Sequence, residues 1–221
     1  MILAVVGLQR EARIAAGEGV RVIIGGGNSG DLRRKLDDAV GAGVQGVASF
    51  GIAGALSPML STGDCVLASA VRADGKSLHT DGPWRKAIGK RLPGCVVAEL
   101  LGTDSIIATA YEKRRMFART AAHAVDTETH IAGAVAVARN LPFVAIRVIV
   151  DTANTDLPPV ALCAIRRDGT VDTAAVVRSL ISRPRQIPQL IRTGQDSRIA
   201  FRTLLRCREA LGPAFSFPEL G

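Results

Sequence analysis

The stretch PFVAIRVIVD, residues 142–151, decides the fold. Apart from Arg147 and the final Asp151, it is apolar and rich in β-branched side chains, which is typical of a strand buried on both faces of a sheet. Shorter runs of the same character precede it and each predicts a further strand, at residues 2–6, 20–24, 46–50, 65–71 and 96–101. Residues 51–56, GIAGAL, follow the third of these runs and predict a glycine-rich turn.

Helical patterns alternate with these strands. Residues 130–139 are rich in Ala and Val, which indicates a buried helix. Residues 31–40 place their apolar side chains on one helical face, namely Leu32, Leu36, Ala39 and Val40. Apolar strands interleaved with helices predict an α/β fold of three layers, in which helices cover both faces of a mostly parallel, mixed central sheet.

The composition divides the chain in two. Residues 1–157 predict the α/β core, and residues 158–221 predict a basic helical extension packed on it. Between residues 161 and 208, ten arginines stand against three aspartates, so this segment carries +7 of a total net charge of +8. The extension predicts helices broken at Pro184 and Pro188, with apolar faces formed by Val176, Val177, Leu180 and Ile181 and by Ile199, Leu204 and Leu205.

Several classes of protein are disfavoured. Aromatic residues make up only 4% of the chain, too few for the stacking platforms of single-stranded nucleic-acid binders. The four cysteines have no zinc-site spacing and indicate reduced thiols, with no metal or organic cofactor: Cys65, Cys95, Cys163 and Cys207. The apolar start is too short for a signal peptide, and no apolar run reaches the length of a membrane span. We therefore expect a cytoplasmic protein.

Two kinds of feature could carry chemistry. The loop at residues 25–30 separates a predicted strand from a predicted helix, and the backbone of Gly26, Gly27 and Asn28 could hold an anion or a hydroxyl-rich ligand. The alternative is a tight turn with no ligand. Acids also lie beside predicted elements, at the edge of the sheet where α/β proteins collect ligands. Glu11 follows the first predicted strand, Asp151 follows the strongest one, and Glu128 immediately precedes a predicted buried helix. Such acids can donate protons, bind hydroxyls or activate water, or they can simply cap helices.

Four segments occur in an order that resembles one known family. They are GLQRE at 7–11, GIAGAL at 51–56 followed by LSTGDCV at 60–66, VDTE at 125–128, and PFVAIRVIVDTA at 142–153. Together they resemble the nucleoside phosphorylase and nucleosidase superfamily, in particular its methylthioadenosine/S-adenosylhomocysteine nucleosidase branch. The resemblance covers roughly residues 1–157.

The resemblance implies cleavage of a purine N-ribosidic bond. It implies that Asp151 protonates the purine at N7 and that Glu128 binds the ribose hydroxyls. It places other substrate contacts in these segments, at Ala53, Gly54, Asp126 and Thr127. It adds Ile106 and Ile107, because GTDSII at 102–107 resembles the stretch whose backbone meets the base. It also implies a homodimer that needs no cofactor, with phosphate as a conceivable co-substrate.

The sequence departs from this family at the first turn and in the glycine-rich block. Ala12 stands where the nucleosidases have their water-activating Glu, and Glu11 lies one residue earlier. No Arg that could bind phosphate, as in the phosphorylases, lies beside Gly51 in the sequence. This absence favours hydrolysis over phosphorolysis, although the loop at residues 25–30 offers amides that could bind phosphate.

The extension resembles a bacterial subgroup associated with hopanoid biosynthesis. That resemblance implies release of adenine from adenosylhopane, a lipid-linked nucleoside, and a basic C-terminal segment suits the anionic inner face of a membrane. A salvage nucleosidase acting on methylthioadenosine or S-adenosylhomocysteine is the second hypothesis. A non-catalytic nucleoside-binding or nucleic-acid-binding protein is the third.

Overall fold

An eight-stranded mixed sheet forms the centre of the computed structural model, which describes residues 1–41, 43–162, 166, 168–170, 172, 174, 176 and 186–218. The strands are β1 (Ile2–Val6), β2 (Val20–Ile24), β3 (Gly46–Ala55), β4 (Cys65–Ala73), β5 (Lys76–His79), β6 (Val96–Gly102), β7 (Ala124–Asp126) and β8 (Phe143–Asp151). The helices are α1 (Gln9–Ala15), α2 (Ser29–Ala39), α3 (Gly82–Arg91), α4 (Ala110–Thr120), α5 (Thr129–Ala138) and α6 (Ile187–Leu211).

The sheet curls onto itself around β3. Strands β1 and β8 pair parallel with β3, whereas β7 pairs antiparallel with its last two residues. Strand β7 continues to β6, β6 to β4, and β4 returns to β8. These five strands thus close into a ring, and β1 and β2 extend the sheet beyond it. The register of β3 against β8 shifts between Ala53 and Gly54, a bulge that re-aims the end of the strand.

Side chains that alternate along the strands lie on opposite faces of the sheet and pack against two helical layers. Leu3 and Val5 of β1 pack in the apolar cluster shared with α2 and α5. Ile2, Ala4 and Val6 face the opposite layer, built by α1, α3 and α6. The predicted three-layer α/β fold is therefore confirmed.

Helix α6 closes the second layer. Its buried side chains pack on the sheet and include Ala200, Phe201, Leu204, Cys207 and Leu211. The Arg208 guanidinium donates to the carbonyls of Ala15 (2.9 Å) and Gly212 (2.6 Å), which ties the end of this helix to α1. The division of the chain at residue 157 stays a prediction.

Several sequence predictions needed correction. The predicted turn at residues 51–56 is wrong up to Ala55, because β3 continues to that residue. Helix α6 begins at Ile187, at one of the two predicted breaks, and Pro188 lies in its first turn, where a missing N–H costs nothing. Of the predicted apolar face on α6 only Leu204 is buried, whereas Ile199 and Leu205 are exposed. The predicted break at Pro184 and the face at Val177, Leu180 and Ile181 lie outside the described residues.

Strands β5 and β7 and helices α3 and α4 were not predicted. No helix in the described part of the chain combines the length and apolar character needed to cross a bilayer.

Candidate active site

Each predicted acid lies at or shortly after the carboxyl end of a strand. Glu11 lies in the helix that follows β1, Asp151 is the last residue of β8, and Glu128 follows β7. All three side chains are buried. Ligand sites of α/β sheets lie beyond the carboxyl ends of their strands, so this edge is the candidate active site.

Two glycines of β3 make room for these acids. A Cβ at Gly51 would overlap the Glu11 carboxylate and lie 2.8 Å from Nη1 of Arg147. A Cβ at Gly54 would lie 3.1 Å from Oδ2 of Asp151. The two glycines are three residues apart, about 10 Å along an extended strand. Strand β3 is thus the floor of the site, with one acidic region at each glycine.

The first region is a cluster of three carboxyl groups around one arginine, and we call it the arginine cluster: Glu11, Asp126, Glu128 and Arg147. Arg147 is almost completely buried and forms an ion pair with Asp126, to which its Nε donates at 2.6 Å. Its Nη2 also donates to the hydroxyls of Ser49 (2.7 Å) and Thr129 (2.8 Å). One cation therefore faces three acids in a region with little access to water.

Glu11 is held by backbone amides. Its carboxylate accepts hydrogen bonds from the N–H groups of Gly7 (2.8 Å), Leu8 (2.8 Å) and Ile52 (2.7 Å). Burial raises the pKa of Glu11, against the opposing effect of Arg147 and of these three amides. Glu11 thus ties the β1–α1 turn to β3, in addition to any role toward a ligand.

Glu128 is the least satisfied acid of the arginine cluster. It packs against two glycines, because a Cβ at Gly7 or at Gly25 would lie 3.0 Å from its side chain. The hydroxyl of Thr127 donates to its Oε1 at 2.6 Å. Burial, followed by repulsion from Asp126, raises the pKa of Glu128 to about 7, although Arg147 opposes the shift. Glu128 can therefore gain or lose a proton near neutral pH.

The second region is an ion pair between Asp151 and Lys113, and we call it the lysine pair. Lys113 comes from α4, and its side chain is completely buried. Its Nζ contacts Oδ2 of Asp151 and also donates to the carbonyls of Thr152 (3.0 Å) and Thr155 (2.7 Å). Burial raises the pKa of Asp151, and Lys113 acts in the opposite direction.

The other predicted substrate residues lie around these two regions. The Asp126 carboxylate is occupied by Arg147 and by the backbone N–H of Thr129, 3.2 Å away. The side chain of Ala53 packs in the core beneath β3. Ile107 packs on a small apolar cluster under α4, whereas Ile106 is exposed. Contact of these residues with a ligand stays a prediction.

In the glycine loop after β2, some of the polar groups already form hydrogen bonds within the protein. Gly26 and Gly27 have positive φ angles of 62° and 69°, which glycine adopts without strain. The N–H of Gly26 donates to the carbonyl of Gly7 at 3.1 Å. Oδ1 of Asn28 caps α2 by accepting from the N–H of Asp31 at 2.8 Å. The loop therefore braces the site next to Glu128, and its binding of an anion stays a prediction.

Arg147 and Lys113 were not among the predicted site residues. Arg147 had a visible signal, since it is the single charge within the apolar run 143–150. Lys113 had none, because it lies in a polar stretch and its partner is 38 residues away. Among the described residues, no group of three or more His, Cys, Asp or Glu side chains is arranged to hold a metal ion.

A family model described as the phosphorylase superfamily matches residues 34–182. The chain belongs to the phosphorylase superfamily. This confirms the resemblance found in the sequence at the level of the superfamily. The match includes β3, Lys113, Glu128 and Asp151, and so both acidic regions of the site except for Glu11. No curated protein matches the chain.

Solved structures of the superfamily share the fold. A 5'-methylthioadenosine/S-adenosylhomocysteine nucleosidase of Helicobacter pylori, complexed with an inhibitor, is 15% identical, with a TM-score of 0.62 over 82% of this chain and 97% of that one. Futalosine hydrolase of the same organism is 16% identical, with a TM-score of 0.60 over the same shares. A methylthioadenosine/S-adenosylhomocysteine nucleosidase of Colwellia psychrerythraea in complex with adenine is 18% identical, with a TM-score of 0.61 over 80% and 93%.

Proposed function

We propose that this phosphorylase-superfamily protein cleaves the N-ribosidic bond of an adenine nucleoside. The observation that carries the proposal is a pair of buried acids, one in each acidic region: Glu128 in the arginine cluster and Asp151 over Gly54. Two separate acidic groups suit a nucleoside, because its base needs a proton and its sugar needs stabilisation of positive charge. The nucleosidase of Colwellia psychrerythraea, which shares the fold, binds adenine.

The chemistry assigns one role to each acid. Asp151, in its protonated form, gives its proton to N7 of the purine, and the electrons of the C1'–N9 bond move onto the base as it leaves. Glu128 accepts hydrogen bonds from the ribose hydroxyls and stabilises the positive charge that develops on the sugar. In hydrolysis, water bonds to C1' and its released proton returns to the Asp151 carboxylate through solvent, which restores the acid. In phosphorolysis, a phosphate oxygen bonds to C1' and its negative charge cancels that of the sugar cation.

Water is the acceptor that the site favours. Arg147 lies beside Gly51 in space, where a phosphate-binding arginine would be expected in a phosphorylase. Its Nε and Nη2 groups, however, donate to Asp126, Ser49 and Thr129. Three acids in the same cluster would also repel a phosphate dianion. Hydrolysis is therefore the first expectation, and dependence on phosphate would assign phosphorolysis instead.

The substrate that we propose is adenosylhopane, an adenine nucleoside with a lipid at its 5' end. An open cavity of about 670 Å³ lies between the loop after β8 and the start of α6, lined in part by Thr152, Asn154 and Arg192. At its margin α6 exposes Ile187 and Ile191, which are 42% and 59% exposed. This apolar surface beside a polar cavity supports a nucleoside with an apolar substituent.

We also propose that α6 contacts an anionic membrane surface. Its exposed face carries four arginines and four apolar residues: Arg192, Arg198, Arg202, Arg206, Ile187, Ile191, Ile199 and Leu205. Attraction to anionic lipid is about 1 kcal/mol for each basic residue near the surface. Arg198→Glu combined with Arg202→Glu should reduce sedimentation with vesicles of phosphatidylglycerol, whereas Arg114→Glu on α4 should not. Equal binding by all three proteins would refute the contact.

The experiment that tests the function is adenine release, followed by chromatography, from adenosylhopane, methylthioadenosine and S-adenosylhomocysteine, with and without phosphate. Release from adenosylhopane alone is the expected result. Release from the small nucleosides instead would identify a salvage nucleosidase. No release from any substrate would overturn the proposal and favour the non-catalytic alternatives, for which a steep salt dependence of DNA binding would indicate nucleic acid. The expected homodimer can be measured by light scattering.

A further inference from the structure

Helix α4 buries a lysine where a helix of this kind usually buries an apolar side chain. All of Ala110–Thr120 is described, and Lys113 is its single fully buried residue. A buried ammonium group is costly unless it is paired and hydrogen-bonded. The position of Lys113 therefore needs a reason beyond packing.

The surroundings of Lys113 satisfy its charge and its hydrogen-bonding capacity completely. An ammonium group has three N–H donors. They meet Oδ2 of Asp151, the carbonyl of Thr152 and the carbonyl of Thr155. All three acceptors lie in one short segment that begins at the end of β8. Lys113 thus fixes this segment and the carboxyl group of Asp151 together.

The two oxygens of Asp151 are not equivalent. Oδ2 is bound to Lys113, whereas Oδ1 accepts no hydrogen bond from any residue that the structure describes. The carboxyl group leans over Gly54, where a Cβ would lie 3.1 Å from Oδ2 and 3.4 Å from Oδ1. The bulge of β3 lies at the same place.

We infer that Lys113 is a positioning residue for the reaction, which holds the Asp151 carboxyl by Oδ2 so that Oδ1 is presented to the purine. This inference rests on the proposed function, because it names how the acid of that reaction is oriented. It makes Lys113, a residue without contact to the substrate, necessary for full activity.

The same contact controls when Asp151 carries its proton. The charged groups that act on Asp151 from the described elements are Lys113 on α4 and, in the opposite direction, Asp196 on α6. An opposite charge at contact distance lowers the pKa of a carboxyl group by roughly 1–3. Loss of the Lys113 charge should therefore raise the pKa of Asp151. Since a general acid works only while protonated, activity would then persist to higher pH.

The first test is an NMR titration of the carboxyl carbon of Asp151, assigned with Asp151→Asn, in the wild-type protein and in Lys113→Gln. We expect the midpoint of Lys113→Gln to be higher by about one pH unit or more. Arg114→Met, which removes an exposed charge from the same helix, should leave it unchanged. Equal midpoints in the wild type and Lys113→Gln would overturn the inference. This readout needs no substrate, so it stands or falls separately from the nucleosidase activity.

The second test is the pH profile of kcat/KM for adenine release. In Lys113→Gln the fall of activity at high pH should move upward with the NMR midpoint, and kcat at the optimum should drop about 10-fold because the acid is less well oriented. A drop in activity without movement of the profile would assign Lys113 a structural role only and refute the inference.

A wild-type measurement covers the case in which Lys113→Gln does not fold. The ¹⁵Nζ resonance of Lys113 should change with pH at the same midpoint as the carboxyl carbon of Asp151, because the two groups share a hydrogen bond. A Lys113 resonance that ignores the titration of Asp151 would contradict the inference.

Discussion

The arginine cluster and the lysine pair are two buried acidic regions on one strand, and they differ in the balance of charge. Arg147 faces three carboxyl groups, whereas Lys113 faces one. At the cluster burial, followed by repulsion from the additional acid Asp126, raises the pKa of Glu128 to about 7. At the lysine pair the cation is matched one to one, and it opposes the rise that burial causes in the pKa of Asp151.

The difference in charge balance explains how two regions on one strand can have two roles. Glycine at positions 51 and 54 lets both regions approach β3. Because both regions pack on a glycine of the same strand, the difference in their chemistry comes from their cations. A surplus of acids keeps a proton in the cluster near neutral pH, and a matched pair orients a single acid.

Asp151→Asn should break the lysine pair and nearly abolish adenine release. Loss of a general acid costs about 10³-fold in rate. It also leaves Lys113 as a buried charge without a counterion, which should lower the free energy of unfolding by about 3 kcal/mol. Urea unfolding and adenine release measure the two effects.

The matched control for Asp151→Asn is Asp156→Asn in the same loop. The Oδ1 of Asp156 accepts from the N–H of Ala110 at 2.7 Å, and an amide oxygen can keep that bond. Its rate should stay within a few-fold of the wild type. Near-normal turnover by Asp151→Asn would remove the assignment of the acid.

Glu128→Gln removes one of the three acids of the arginine cluster and should therefore change how the free energy of unfolding depends on pH. The pKa of Glu128 is raised from 4.5 to about 7, so the folded state keeps a proton that the unfolded state loses. Relative to Glu128→Gln, the wild type should therefore lose stability as pH rises from 4.5 to 7, by about 3 kcal/mol in all. Above pH 7 the difference should level off.

Urea unfolding between pH 4.5 and 8.5 measures this difference between the two proteins. Glu209→Gln, an exposed change on α6, should give a constant difference from the wild type across the same range. If the free energy of unfolding of Glu128→Gln also differs from that of the wild type by a constant amount, the raised pKa of Glu128 is contradicted.

Substitution of Gly51 or Gly54 by alanine compares the rigidity of the two regions directly. In Gly51→Ala the new methyl group must displace two buried charged side chains, Glu11 and Arg147, at a cost of about 2–3 kcal/mol. In Gly54→Ala it meets Asp151 at 3.1 Å, which a small shift relieves, so stability should fall by less than about 1 kcal/mol while kcat falls. Equal stability losses would show that the cluster is not the more rigid region.

Glu11→Gln should have the smallest effect on rate. The Glu11 carboxylate accepts three backbone N–H groups, and an amide can replace only one of its oxygens. The free energy of unfolding should therefore fall by about 1–2 kcal/mol. The rate of adenine release should fall less than 10-fold. A 100-fold loss with normal stability would instead show that Glu11 activates the water.

Long apolar runs carried the predictable part of the fold. Strand β8 and the strand at residues 2–6 are evident in sequence because both of their faces are buried. Strand β7 has only three residues, too few for any periodicity. Helices α3 and α4 are mostly polar and exposed, so they lack an apolar stripe.

The acids of the site could be predicted, but their partners could not. Glu11 and Asp151 follow predicted strands and Glu128 precedes a predicted helix, so position along the chain locates them. Which cation each one meets depends on contacts between distant segments, such as Lys113 with Asp151 or Arg147 with Asp126. The pKa of each acid depends on those partners and on burial, which emerge only when the chain folds.

A double-mutant cycle tests most directly the claim that the two regions act on one substrate. Adenine release is measured for the wild type, Asp151→Asn, Glu128→Gln and the double variant under single-turnover conditions. Because residues that act in one transition state are not additive, the double variant should lose much less activity than the product of the two single losses. A loss equal to that product, or no loss in Glu128→Gln, would contradict a shared site.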